Sequence, residues 1–324
     1  MSPTRAIVYR IGLPLGCLAI VAAVVAAFFA ADLIRAQARV TGHSQIVETP
    51  SGTIEYATAG QGRPVLVIHG AAGGFDQSLD MTGALAQYGH RLIAPSRFGY
   101  LASKPRVDLT VTTQAEAYVE LLDHLGLDKV AIVAISAGAW SALEFASRRP
   151  ERCEALVLLV PAGPLPPATA NFGGAIARAM FNSDFLTWLG LKAARLVPAW
   201  MDAMMLGTDA HVVGAATADE TARLEQVLDH LLPMTLRTAG MAFDIRTATA
   251  PAPIALDRIA CPVLAVSTED DLYGTAARAR QIAADVQHGK AVIYPTGGHA
   301  LVGHFDEALR EVRTFLSRSN QDSP

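Results

Sequence analysis

The apolar run Val130 to Ile135 passes without a spacer into Ser136, and from Ser136 into a segment of helical periodicity that stops at Arg149-Pro150. A strand that becomes a helix at a single residue leaves few folds open. The strand has to lie inside a mainly parallel sheet, and the helix has to fold back across it. So tight a turn predicts a strained backbone at Ser136, with its hydroxyl pushed out at the end of the sheet. Ala134 and Gly138 are small where strand and helix must pass closely. The Ala-x-Ser-x-Gly pattern is short, however, and a serine at a helix N-cap is its plainer explanation.

The rest of the chain supplies the context. Residues 64–68 and 91–95 are short continuous apolar runs, as buried strands require, and residues 45–57 alternate around Pro50-Ser51-Gly52, which predicts a hairpin. Helical spacing follows over residues 113–125 and 137–148, then further strand-like runs at 155–160, 263–266 and 291–294. Strands alternating with helices predict an α/β fold, a mainly parallel central sheet covered by helices. The alternation stops near Pro161 and resumes at Ala260, with amphipathic helices expected at 175–180, 185–196 and 221–232 between them. The expected organisation is therefore a core of residues 44–161 and 259–318, a helical cap inserted over 162–258, and a polar tail over 319–324. Within the insertion, Trp188, Trp200, Met201, Met204 and Met205 either line an apolar substrate pocket or fill the contact between cap and core.

Residues 1–43 read differently. Residues 11–31 are uncharged throughout, and at about 1.5 Å per residue they span roughly 30 Å, the thickness of a bilayer core. Arg5 and Arg10 precede this run, and Asp32, Arg35 and Arg39 follow it. The expectation is a single-pass N-terminal membrane anchor, with a slight charge bias for a catalytic domain on the extracytoplasmic side. A signal peptide cleaved near Ala38 is the alternative, but its apolar region would exceed the usual ~7–15 residues. The net charge of −4 offers no footprint for nucleic acid. Three cysteines imply no disulfide framework. Cys153 and Cys261 each lie two residues before an expected strand, so on neighbouring strands they would meet at one sheet edge.

Acyl hydrolysis by a serine needs a base, an acid that orients the base, and amides that hold the developing oxyanion. Gly297-Gly298-His299 follows the 291–294 run, and histidine is the side chain whose charge changes near neutral pH. Glu269-Asp270-Asp271 follows the 263–266 run, and three consecutive acids leave the choice among them open. His69-Gly70-Ala71-Ala72-Gly73-Gly74 follows the 64–68 run, and its small residues let the Ala71 amide face the serine together with that of Ala137. His69, at a strand end before glycine, is expected to brace this loop.

Together these parts resemble the α/β-hydrolase superfamily, in its cap-bearing serine branch, over about residues 45–316. The resemblance implies Ser136 as nucleophile, His299 as base, and the amides of Ala71 and Ala137 as the oxyanion hole. The family's Gly-x-x-Asp pattern aligns with Thr268-Glu269-Asp270-Asp271 and selects Asp271 over Asp270 as the acid. Its Asp-x-x-Gly-x-Gly loop aligns with Ser96-Arg97-Phe98-Gly99-Tyr100-Leu101, where serine and leucine replace the Asp and the second Gly. Serine at the turn argues against the branches that use a carboxylate nucleophile. The implied activity is hydrolysis of an ester or related acyl bond in a small, apolar substrate, without cofactor or metal. The same triad could serve C–C bond hydrolysis, acyl transfer or perhydrolysis, and the bare fold could serve binding alone.

Overall fold

The computed structural model describes residues 3–166, 174–196 and 206–318. A nine-stranded sheet runs through the described residues in the order β1-β2-β4-β3-β6-β7-β8-β9, with β5 (Lys104–Pro105) attached to β2. The edge hairpin of β1 (Gln45–Glu48) and β2 (Gly52–Ala59) is antiparallel and turns at Pro50-Ser51, as the break in alternation predicts. β2 pairs antiparallel with β4 (His90–Pro95). From β4 onward, β3 (Arg63–Ile68), β6 (Val130–Ile135), β7 (Cys153–Leu159), β8 (Val263–Thr268) and β9 (Gly289–Tyr294) are all parallel.

The continuous apolar runs have a direct cause: side chains of a strand alternate between faces, and both faces here are covered. On one face Leu66, Ile68, Ile132, Ala134, Leu156 and Leu158 pack with α3 (Val111–His124) and α4 (Gly138–Arg148). On the other, Val65, Val67, Val133, Ile135, Val157 and Val266 pack with the C-terminal helix α11 (Phe305–Arg318) through Ala308, Val312 and Leu316.

Between β7 and β8 the chain leaves the sheet. It forms α5 (Gly174–Phe181), α6 (Asp184–Leu196), α7 (Ala210–Gly214), α8 (Ala218–Asp229) and α9 (Thr238–Thr249). Helix α9 was absent from the sequence expectation. The remaining helices, α2 (Phe75–Thr82) after β3 and α10 (Thr275–Asp285) after β8, complete the layers. Trp200, Met201, Met204 and Met205 lie outside the described residues.

The N-terminal helix α1 runs from Pro3 to Val40, beyond the uncharged run and through Asp32, Arg35 and Arg39. Its continuation is held by partners. The Trp188 indole donates to Asp32 at 2.8 Å, and Arg39 donates to Asp76 at 3.2 Å and to the Asp229 carbonyl at 3.0 Å. From Gly16 to Val40 this helix is long and apolar enough to cross a membrane.

Cys153 is the first residue of β7, two residues earlier than the expected strand start, and Cys261 precedes β8 on the adjacent strand. Their sulfurs lie 2.9 Å apart as buried free thiols.

Candidate active site

Ser136 has φ 50°, in the left-handed region that β6 must enter to turn at once into α4. Such a conformation in a residue with a Cβ costs roughly 1–3 kcal/mol and persists only where the surroundings enforce it. Here they do. The Ser136 amide donates to the Leu159 carbonyl at 2.9 Å, and its own carbonyl accepts from Ala139 at 3.0 Å and Ala162 at 3.1 Å. The need for glycine at 138 is steric: a Cβ there would stand 2.7 Å from the His69 carbonyl oxygen. Ala134 fits because its methyl is buried in the core on the α3 and α4 side.

The Ser136 hydroxyl lies 2.9 Å from Nε2 of His299, whose Nδ1 lies 2.8 Å from Oδ2 of Asp271. Asp271 is 5% exposed and also accepts from the Thr275 hydroxyl and, at 2.8 Å, from the Tyr273 amide. Burial alone would raise its carboxyl. The His299 contact, the Thr275 hydroxyl and the Tyr273 amide outweigh burial and hold it below the usual range. Asp270 points elsewhere: its two oxygens accept the amides of Gly298 at 2.8 Å and Gly297 at 3.1 Å. One acid therefore contacts the imidazole and its neighbour shapes the loop that carries it.

That loop has left-handed glycines, φ 127° at Gly297 and 59° at Gly298, which bring His299 back over the sheet end. The insertion holds it from the other side. Gly207 accepts the His299 amide at 3.3 Å and the Leu272 amide at 3.1 Å, and the Thr208 hydroxyl accepts the Ala300 amide at 3.1 Å. The Tyr273 ring meets the imidazole edge-on at 4.9 Å. Gly207, Thr208 and Tyr273 carry no sequence signature of their own.

The loop after β3 passes directly over the serine, since a Cβ on Gly70 would lie 3.1 Å from that of Ser136. Its carbonyls are fixed by buried charges that periodicity cannot reveal. Arg97 donates to the Gly70 carbonyl at 2.9 Å and forms a two-pronged pair with Asp244 of α9 at 2.6 and 2.7 Å. The Asp244 carboxylate also accepts from the Tyr100 hydroxyl. In the opposite sense Arg237, which is 0% exposed, donates to the Gly73 carbonyl and to Asp76 at 2.9 Å.

His69 completes the clamp. Its Nε2 accepts the Arg97 amide at 2.8 Å, so Nδ1 carries the proton and donates to the Gly70 carbonyl at 2.7 Å. Burial, and next the nearby Arg97 charge, push this imidazole well below its ordinary range and keep it neutral. A trans peptide is planar, with C=O and N–H opposed. Two donors on the Gly70 carbonyl therefore turn the Ala71 N–H the other way. Among the described residues, neither the Ala71 amide nor the Ala137 amide has a protein acceptor.

The departures from the family pattern at 96 and 101 are accommodated. The Ser96 hydroxyl donates to the buried Glu55 at 2.9 Å and accepts the Phe75 amide at 3.2 Å. Leu101 takes the left-handed conformation of the missing glycine, φ 50°, with its amide donating to the Leu236 carbonyl at 2.7 Å.

The Trp188 ring packs against Phe29 of α1 and Phe185. A cleft of about 590 Å³ lies between α4, α10 and residues 251–257, lined by Trp140, Ile254, Leu256 and Arg278, and no member of the Ser136–His299–Asp271 chain lines it. Among the described residues no three His, Cys, Asp or Glu side chains converge as a metal-ligand set.

Comparison with known proteins places these features in a family. Residues 63–303 match the family described as alpha/beta hydrolase fold. The Bacillus subtilis protein named "Uncharacterized hydrolase YcgS" is 40% identical over 107 residues, a match that spans 33% of this chain and 37% of that protein. The Klebsiella pneumoniae protein named "Putative carbamate hydrolase RutD" is 30% identical over 242 residues, 74% of this chain and 85% of that one. Among solved structures, an alpha/beta hydrolase fold protein from Nakamurella multipartita superimposes with a TM-score of 0.68 at 26% identity, covering 86% of this chain and 99% of that one. The chain belongs to the alpha/beta hydrolase fold family and is an enzyme of the hydrolase type.

Proposed function

We propose that Ser136, His299 and Asp271 form the catalytic triad of a serine hydrolase that cleaves an ester or related acyl bond through an acyl-enzyme. The observation that carries this reading is the unbroken chain from Ser136 Oγ to His299 Nε2, 2.9 Å, and from His299 Nδ1 to Asp271, 2.8 Å. As the Ser136 oxygen attacks the acyl carbonyl, Nε2 takes its proton and then returns it to the leaving group. Asp271 holds the Nδ1–H tautomer and stabilises the imidazolium that forms. The amides of Ala71 and Ala137 receive the charge that develops on the carbonyl oxygen, and such a donor is worth ~10²–10³ in turnover. Water, deprotonated by the same imidazole, then attacks the acyl carbon, and the imidazolium gives that proton to the departing Ser136 oxygen as the acid is released. A carbamate, the substrate class in the name of the Klebsiella relative, carries the same kind of carbonyl as an ester.

The helices between β7 and β8 serve in this reading as the cap over the substrate, and α1 serves as a single-pass anchor with the catalytic domain on the extracytoplasmic side. Ser136→Ala tests the chemistry. It is expected to lower hydrolysis of an acyl-ester panel by at least ~10³-fold and to abolish labelling by a fluorophosphonate probe, with an unchanged circular dichroism spectrum. Retention of activity would overturn the reading. For the anchor, the full chain should stay with membranes through carbonate extraction, and release into the supernatant would reject it.

A further inference from the structure

Helix α6 is fastened to α1 at the level where the uncharged run of α1 ends. Phe29 meets Phe185 edge-on at 5.2 Å and Trp188 at 5.6 Å, and Phe185 stacks on Trp188 at 5.9 Å. One residue past Ala31, Asp32 receives the Trp188 indole at 2.8 Å and pairs with Lys192 at 2.8 Å. With residues 11–31 of α1 in a bilayer, Phe29 and Asp32 stand at its edge, and so does the N-terminal half of α6. There α6 leaves three large apolar side chains in the open: Phe185 at 38%, Leu186 at 37% and Leu189 at 45% exposure. Their spacing sets them along one side of the helix. α1 also exposes apolar side chains over the uncharged run, among them Val21, Val24 and Phe28. An exposed apolar face with Lys192 on the same helix suits the boundary between headgroups and acyl chains. The buried side of α6 looks inward: Leu191 joins a cluster with Leu206 and Val302, three residues beyond His299.

We propose that α6 lies in the interfacial layer of the membrane, with Phe185, Leu186 and Leu189 against the acyl chains, and that the site takes apolar acyl substrates dissolved in the bilayer. The membrane half of this inference rests on the proposed α1 anchor, and the substrate half on the proposed serine chemistry.

The test uses the full chain reconstituted in phosphatidylcholine vesicles. The Trp188 fluorescence, taken as the difference between wild type and Trp188→Phe, should be quenched by lipids brominated near the headgroup end of the acyl chain. A Phe185→Asp/Leu189→Asp variant with an unchanged circular dichroism spectrum should relieve that quenching. It should also lower kcat/KM for a long-chain ester held in the vesicles at least about tenfold, the scale expected for losing one or two buried apolar side chains. Hydrolysis of a water-soluble acetate ester should be unaffected. Unquenched Trp188 would overturn the proposal, and so would an equal change toward both esters. A dimer that the double variant dissociates, without quenching in the wild type, would assign the face to a second copy instead. Ser136→Ala in the same assay separates the two readings: loss of both activities there, without a split in the double variant, rejects only the membrane route.

Discussion

Asp270 and Asp271 are adjacent, yet their surroundings separate them. Asp271 meets the imidazole, whereas Asp270 accepts the two glycine amides that bend the histidine loop. Asp271→Asn is therefore expected to lower kcat by about 10²–10⁴-fold with little change in KM, because the amide favours the wrong imidazole tautomer. Asp270→Asn should leave kcat within about tenfold and lower the melting temperature, since what it loses is amide hydrogen bonding. Steady-state kinetics and thermal melts on the pair check both outcomes. A second carboxylate offers a pH test. Burial would raise Asp76, but the charge of Arg237 and then that of His230 outweigh it and bring Asp76 down from 3.8 to about 2. A folded-state value below the unfolded one adds stability that is fully present above the unfolded value and is lost as pH falls through the folded one. The stability advantage of wild type over Asp76→Asn in urea titrations should thus be constant above about pH 4 and shrink between about pH 4 and pH 2.

At the scale of elements, the turn from β6 to α4 was legible because backbone geometry demands small residues at fixed offsets from Ser136. The acidic cluster 269–271 and His299 stood out because each follows the end of an apolar run, whereas the choice of Asp271 came only from the family resemblance. The support of the loop over Ser136 was not legible. Arg97 and Asp244 are 147 residues apart in sequence, and Arg237 and Asp76 are 161 apart. No local pattern joins them, and α9, which carries Asp244, has only a weak apolar stripe to announce it. Their effect is testable. Arg97→Ala removes one of the two donors to the Gly70 carbonyl and leaves Asp244 buried without its charged partner, so kcat/KM should fall by about 10²–10³-fold and stability by about 3–5 kcal/mol. Arg97→Lys should not restore activity, because an ammonium cannot reproduce the two-pronged guanidinium contact. Ester kinetics together with denaturant unfolding would show whether the two losses travel together.

Across the whole molecule, the uncharged run 11–31 gave the apolar part of α1 but not what the charged residues after it do. In the fold they are contacts with the insertion and α2, through Asp32 to Trp188 and Arg39 to Asp76. Arg39→Ala is expected to lower the unfolding free energy by about 1–3 kcal/mol, since Asp76 loses a charged donor while keeping Arg237. A denaturant titration of the full chain in detergent measures it.

The adjacency of β7 and β8 has a consequence for how this enzyme can diversify. The chain leaves the sheet after Leu159 and rejoins it at Val263 beside the strand it left, so everything between is an excursion that starts and ends at one place. Doubling the length of such a loop adds only about 0.6 kcal/mol of closure entropy. Ser136, Asp271 and His299 all lie outside it, and one set of helices could be exchanged for another that again accepts the His299 and Ala300 amides, as Gly207 and Thr208 do. The exchange has a condition: the incoming segment must bring a carboxylate to Arg97 and a cation to Asp76, or it strands two buried charges beneath the loop that faces Ser136.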